Sequence, residues 1–295
     1  MRTFPRAPGT SGSRLPVPSN LPSPGPRGTG SFCFTSSCRR TEVYPIVFIG
    51  AGPGDPGLLT LAGLQALEAA EVVYAPDPFE QTFAQILQGK RVEVPFDYGF
   101  AELVARLKNE AEKAPVAFLV PGDLTFYSPF QPFIDELGNQ ARVIPGVGTV
   151  NAAAARLAKT LDLPGVCNRA VIASPRTLGD GDDAPTLQDL ARPGVTLVIY
   201  MNNLPLPELV RQLRAGYGCN VPIALLHRLG LPGEEVILSD LDAIVARVGD
   251  RDYFNLSGEN RRPALTLVLV GETLTARPGG DWWDWRRENV WKHRS

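Results

Sequence analysis

From Tyr44 onward the chain repeats one pattern: a short apolar run, a turn rich in glycine and proline, then a longer stretch whose apolar positions fall three or four apart. Ile46-Val47-Phe48-Ile49 is apolar and rich in β-branched residues and ends in Gly50, which predicts a strand buried in a parallel sheet. Thr60 is placed to cap a helix in which Leu61, Leu64, Leu67 and Ala70 share one face, and a strand is expected at Glu71-Val72-Val73-Tyr74. The alternation continues with a helix over 100–114, a strand over 116–120, a helix over 130–137 and a strand over 142–144. Such alternation predicts a mostly parallel sheet covered on both faces. Beyond Pro145 a second set begins, with an Ala-rich helix over 150–159 and strands over 170–173, 196–201, 222–227 and 265–270. The pattern therefore predicts two α/β domains, residues 43–147 and 148–274, within a length that suits two modest cores.

The two ends differ from this body. Residues 1–42 hold no apolar period and the first 40 carry seven prolines and seven serines, so a disordered extension is expected there. Its Arg- and Ser-rich, acid-free make-up is like that of an organellar transit peptide, but the prolines work against the amphipathic helix such a signal needs. Residues 275–295 gather all four tryptophans of the chain, Trp282, Trp283, Trp285 and Trp291, in an arm that either packs on the body or forms a contact between two copies.

Charge narrows the class of partner. The formal net charge is −2, but the first 40 residues hold six arginines and no acid, which leaves 23 basic against 31 acidic residues in the rest. A body of that sign has no general attraction for nucleic acid phosphates, and no nucleic-acid partner is expected. No apolar run approaches the roughly 18 residues of a membrane span, so a soluble, non-membrane protein is expected. Cys33, Cys38, Cys167 and Cys219 have neither zinc-site nor disulfide-scaffold spacing, which fits reduced thiols in a cytoplasm and no metal site. Only two histidines occur, and His227, lacking a partner motif, is expected to pack or cap.

Three loops follow predicted strands. Gly50-Ala51-Gly52-Pro53-Gly54-Asp55-Pro56 makes a poor dinucleotide turn, because proline stands where free N–H groups would meet a pyrophosphate. Pro121-Gly122-Asp123-Leu124-Thr125-Phe126-Tyr127-Ser128-Pro129 and Pro145-Gly146-Val147-Gly148-Thr149 also lie at strand ends, where open α/β sheets place their ligands. Together the three predict one crevice.

The order of these motifs, with Val47-Phe48-Ile49-Gly50 leading into the first loop and the Ala-rich helix following the third, resembles the tetrapyrrole methylases over residues 43–272. That resemblance implies two α/β domains with S-adenosyl-L-methionine folded in the crevice between them, held by backbone and apolar contacts. Carried over residue by residue, those contacts are Pro53, Gly122, Asp123, Leu124, Thr125, Tyr127, Gly148, Thr149, Met201, Ala224, Ala264 and Leu265. A sulfonium cofactor has no phosphates, so neither a phosphate-binding lysine nor a metal ion is required. The resemblance further implies a homodimer and a tetrapyrrole substrate, a small molecule rich in carboxylates for which Arg169, Arg176 and Arg228 are candidate partners. Asp55 is the candidate for orienting a ring nitrogen or accepting its proton, with helix capping as the competing role.

Within the family, Val72-Val73-Tyr74-Ala75 and Leu163-Pro164-Gly165-Val166-Cys167-Asn168 are similar to the branch that methylates carbon 11 of a precorrin-4 or cobalt-precorrin-4 macrocycle in cobalamin biosynthesis. Two other readings stand beside it: a sibling acting on uroporphyrinogen III or another precorrin, and a non-catalytic relative that binds the cofactor. Leu124, in the place of the family's usual proline, keeps the last one open.

Overall fold

The computed structural model describes residues 43–178, 184–257 and 264–292. The expected extension over 1–42 lies outside them, as do Cys33, Cys38 and His293.

The first sheet has the order β3-β2-β4-β1-β5, with β1 (Ile46–Gly50), β2 (Val72–Tyr74), β3 (Arg91–Glu93), β4 (Val116–Val120) and β5 (Ala141–Ile144) all parallel. Pleat alternation sends Ile46 and Phe48 to one face and Ile49 to the other, and each face has its own buried core. One core packs under α4 (Phe100–Ala111) and α5 (Gln131–Leu137), the other under α1 (Leu61–Ala69), α2 (Phe79–Thr82) and α3 (Ala84–Leu87).

Helix α1 begins where expected, with the Thr60 hydroxyl accepting from the Gly63 amide at 3.1 Å, but its buried face differs. Leu61 is 79 % exposed, while Gly63, Leu67 and Ala70 are buried. At the first helical position the Leu61 side chain leans back past the helix end rather than down onto the sheet. A Cβ at Gly63 would come 2.9 Å from Ile49 Cγ2, so the helix meets the sheet at this glycine.

The second sheet has the order β6-β7-β10-β8-β9, formed by β6 (Arg169–Ala173), β7 (Val195–Ile199), β8 (Pro222–His227), β9 (Glu235–Asp240) and β10 (Thr266–Val270). Only β6 and β7 are parallel; β10 runs antiparallel to both β7 and β8, and β9 antiparallel to β8. One face is covered by α7 (Leu187–Leu190), α8 (Leu206–Tyr217) and α9 (Ile244–Val248), the other by α6 (Thr149–Arg156) alone among the helices contributing to its core. The tryptophans lie on α10 (Asp281–Arg286) and the wider turn Arg287–Trp291 that continues it. All four are exposed, by 39–60 %. No helix among the described residues is long and apolar enough to cross a membrane.

Candidate active site

The three strand-end loops meet. Gly52 and Gly122 exchange backbone hydrogen bonds of 2.9 and 2.7 Å, pairing the loop after β1 with the loop after β4. Gly50 and Gly146 touch backbone to backbone, so that a Cβ on either would overlap the other loop. The second sheet closes on them through its 228–234 loop, where a Cβ on Gly230 would lie 3.0 Å from the Asp55 amide and one on Gly54 would collide with the Leu231 side chain.

A pocket of about 210 Å³ lies between these loops and the second sheet. Of the residues expected to hold a cofactor, Pro53, Gly122, Tyr127, Thr149, Met201, Ala264 and Leu265 line it. The others sit outside its lining, each for a visible reason. Asp123 folds back, its Oδ1 accepting from the Thr125 amide at 2.8 Å, and Thr125 is exposed. Leu124 packs against the first sheet's core. Gly148 is the residue before α6, and Ala224 is fully buried in the middle of β8 between Leu269 and Leu238.

Asp55 is exposed and lies outside that lining too; its Oδ1 accepts from the Gly57 amide at 2.8 Å and caps the turn Pro56–Leu58. The geometry shows the capping role, the competing one named for it, and leaves its carboxylate off the pocket wall. Of the three arginines only Arg176 lines the pocket. Arg169 starts β6, at the end of the sheet opposite the pocket, and Arg228 spends its Nε on the Pro232 carbonyl at 2.8 Å.

Tyr200, just past β7, is a wall of the pocket that the motif reading passed over in favour of Met201. Its hydroxyl accepts from the Val150 amide at 3.2 Å, satisfying one free donor in the first turn of α6. Burial, more than any neighbouring charge, pushes its pKa up to about 12. The Tyr127 ring lies 5.4 Å from the Tyr200 ring at 42°.

Of the six non-glycine residues with positive φ among the described residues, three line this pocket, while Ala158, Arg228 and Asn255 lie elsewhere. Tyr127, Met201 and Leu265 have φ of 53°, 47° and 50°, the left-handed region that costs a residue with a side chain on the order of 1–3 kcal/mol. All three line the pocket. Strain of this kind gathers where surrounding structure holds a residue for a purpose other than stability.

His227 ends β8 half-buried, against the Tyr253 ring at 5.3 Å. Thr266 Oγ1 donates to the Tyr253 carbonyl at 2.6 Å, so its contact with His227 Nδ1 at 2.8 Å is a bond in which the imidazole donates. Burial, then the neighbouring Arg228, lowers its pKa and favours the neutral ring. The histidine therefore packs. Among the described residues no group of three or more His, Cys, Asp or Glu is placed to hold a metal ion.

A family model described as Tetrapyrrole (Corrin/Porphyrin) Methylases matches residues 45–245. The chain is similar to the precorrin-4 C(11)-methyltransferase of Pseudomonas aeruginosa, with 31 % identity over 241 residues covering 80 % of this chain and 93 % of that one. Its fold is like that of a solved cobalt precorrin-4 methyltransferase, with a TM-score of 0.64 and 22 % identity over 82 % of this chain and 100 % of the other. It is also like that of uroporphyrin-III C-methyltransferase from Thermus thermophilus complexed with S-adenosylhomocysteine, with a TM-score of 0.57 and 24 % identity over 78 % and 93 % of the two chains.

Proposed function

The chain belongs to the tetrapyrrole (corrin/porphyrin) methylases, and from that membership we propose that it is an S-adenosylmethionine-dependent methyltransferase acting at carbon 11 of a precorrin-4-type macrocycle. The observation that carries the reading is the pocket itself, built from backbone, apolar and aromatic surface at the strand ends of both sheets. The choice of macrocycle rests on the likeness to the Pseudomonas enzyme, which extends over nearly all of that relative.

The lining fits a sulfonium cofactor. Gly122 brings bare backbone to the wall, where a Cβ would come 3.2 Å from the Thr149 hydroxyl, and the Tyr127 and Tyr200 rings offer electron-rich faces to a cation. When bound, the cofactor supplies an electrophilic methyl group on sulfur. Pro53 and Gly122 would set its depth, and Met201 and Leu265 would hold it from the second sheet. Tyr200 stays neutral at physiological pH, its hydroxyl held at the pocket wall by the Val150 amide and the Thr149 side chain. Arg176, which forms no ion pair among the described residues, is the group to meet a substrate carboxylate at the pocket wall. Alignment of the two reactants is the main task left to the protein, and well-aligned reactions gain roughly 7–11 kcal/mol from it. We further propose that the working assembly is a homodimer.

The test is release of S-adenosylhomocysteine by the purified protein given S-adenosylmethionine and each of a panel of precorrins and uroporphyrinogen III. Release with the precorrin-4-type substrate, reduced tenfold or more by Arg176→Ala through KM, is the expected result. Turnover of uroporphyrinogen III alone would reassign the substrate. No turnover of any of them, despite cofactor binding, would favour the non-catalytic relative.

A further inference from the structure

At about 210 Å³ the cofactor pocket cannot also enclose a four-ring macrocycle, so the second reactant has to meet the methyl group at the pocket's mouth. Among the described residues the exposed phenylalanines are Phe96, Phe100 and Phe126, and all three stand at the carboxyl ends of the first sheet. Phe96 follows β3, Phe100 opens α4 just beyond it, and Phe126 lies in the loop after β4. Large apolar side chains gathered in water at one place, rather than scattered singly, mark a contact site.

The rings are fixed from below. Phe96 lies 6.0 Å from the Phe130 ring and Phe100 4.8 Å from the Phe133 ring. Phe130 is itself buried and packs edge-on against Phe118 of β4 at 4.9 Å. A side chain held in this way has little freedom left to lose when another molecule lies on it.

Continuity with the pocket says what reaches these rings. Phe126 belongs to the pocket wall, beside Pro53 from the loop after β1 and Phe79 from the segment after β2. The strand order places β3 next to β2, so Phe96 extends the same row of loop residues by one strand. β3 and β4 are two strand spacings apart, about 9–10 Å, a span that one flat macrocycle bridges. The surrounding charges suit a ring fringed with carboxylates only in one direction. Asp77, after β2, and Asp97, next to Phe96, are exposed, whereas Arg176 stands across the pocket on the side of the second sheet. Such a ring turns its carboxylates away from the two acids and toward the arginine.

We infer that Phe96 and Phe126 form a platform on which the apolar face of the substrate macrocycle lies. The inference rests on the tetrapyrrole substrate proposed above and adds the residues that seat it. Phe96 lies outside the lining of the cofactor pocket, so its effect on the macrocycle is separable from cofactor binding.

The probe is uroporphyrin III, a flat and stable tetrapyrrole carboxylate. It is titrated into the full chain saturated with S-adenosylhomocysteine and followed by the shift of its main absorption band. The expected result is saturable binding that Phe96→Ser and Phe126→Ser each weaken roughly tenfold or more. Phe96→Trp, which keeps an aromatic face, should stay within about threefold of the wild type. Leu238→Ser, at an exposed position on β9, should leave the binding unchanged. Circular dichroism and the affinity for S-adenosylhomocysteine should keep their wild-type values in Phe96→Ser. Porphyrin binding that both serine variants retain unweakened overturns the platform and leaves the tetrapyrrole substrate standing. No saturable binding by the wild type also overturns the platform, while release of S-adenosylhomocysteine with a precorrin decides the substrate separately.

Discussion

Gly50 and Gly146 touch through their backbones, so a methyl group on either would drive the first and third loops apart. That contact is the physical content of two glycines that follow strands in the sequence, where close approach of backbone is what glycine permits. The residues that close the pocket from the other side leave no such mark. Tyr127, Met201 and Leu265 adopt positive φ although nothing about a tyrosine, methionine or leucine announces it, and this part of the site was legible only through resemblance. Asp55 shows the converse, an acid in a suggestive motif whose carboxylate is used locally by the turn it caps. His227 supports a prediction at this scale. Its folded pKa lies below the unfolded 6.5 because burial disfavours the imidazolium, so between the two values the unfolded chain binds more protons. Its contribution to stability is therefore complete above about pH 6.5 and is lost as pH falls through the folded value. Glu235, held below its usual range by the Tyr253 hydroxyl, loses its contribution only at lower pH, below about 4.5. A melting-temperature series from pH 7.5 to 5.5 should fall for the wild type and fall less for His227→Gln. Equal slopes for the two proteins would remove His227 as the cause.

At the scale of elements, strands buried on both sides were readable, and so were the edge strands β5 and β6, but the edge strands β3 and β9 were not. β1 and β4 are continuous apolar runs, whereas β3 is three residues of Arg-Val-Glu at the rim of the first sheet and β9 is the half-exposed rim of the second. An edge strand has one neighbour and a partly wet face, so polar residues are tolerated and the apolar signal thins. Helix α1 was placed correctly but turned wrongly, because counting leucines assigns Leu61 to the core when the close approach of helix to sheet happens at Gly63. Leu67 is fully buried in the core that packs under this helix. Leu67→Ala should therefore cost about 2–5 kcal/mol in urea unfolding, while Leu61→Ala should stay within about 0.5 kcal/mol of the wild type. A large loss at Leu61 would mean that the helix sits rotated from the orientation described.

For the whole molecule, the alternation of strand and helix was enough to read two α/β halves, but not the direction of every strand. β10 is apolar after Thr266 and buried on both faces, and such a run reads the same whether it lies parallel or antiparallel to its neighbours. Direction is set by which strands the connections can reach, a long-range property of the chain. The pocket ties the halves together, since Pro53 and Gly122 belong to loops of the first sheet while Met201 and Leu265 adjoin strands of the second. A ligand seated there and absent from the unfolded chain must stabilise both halves at once. At a free concentration a hundred times its Kd it adds roughly 2.7 kcal/mol, which for a chain of this size raises the melting temperature by about 5–10 °C. S-adenosylhomocysteine added without divalent metal should therefore move a single calorimetric transition upward as a unit. A scan that splits into two transitions, with only one of them shifted, would place the ligand within one half and detach the pocket from the cofactor.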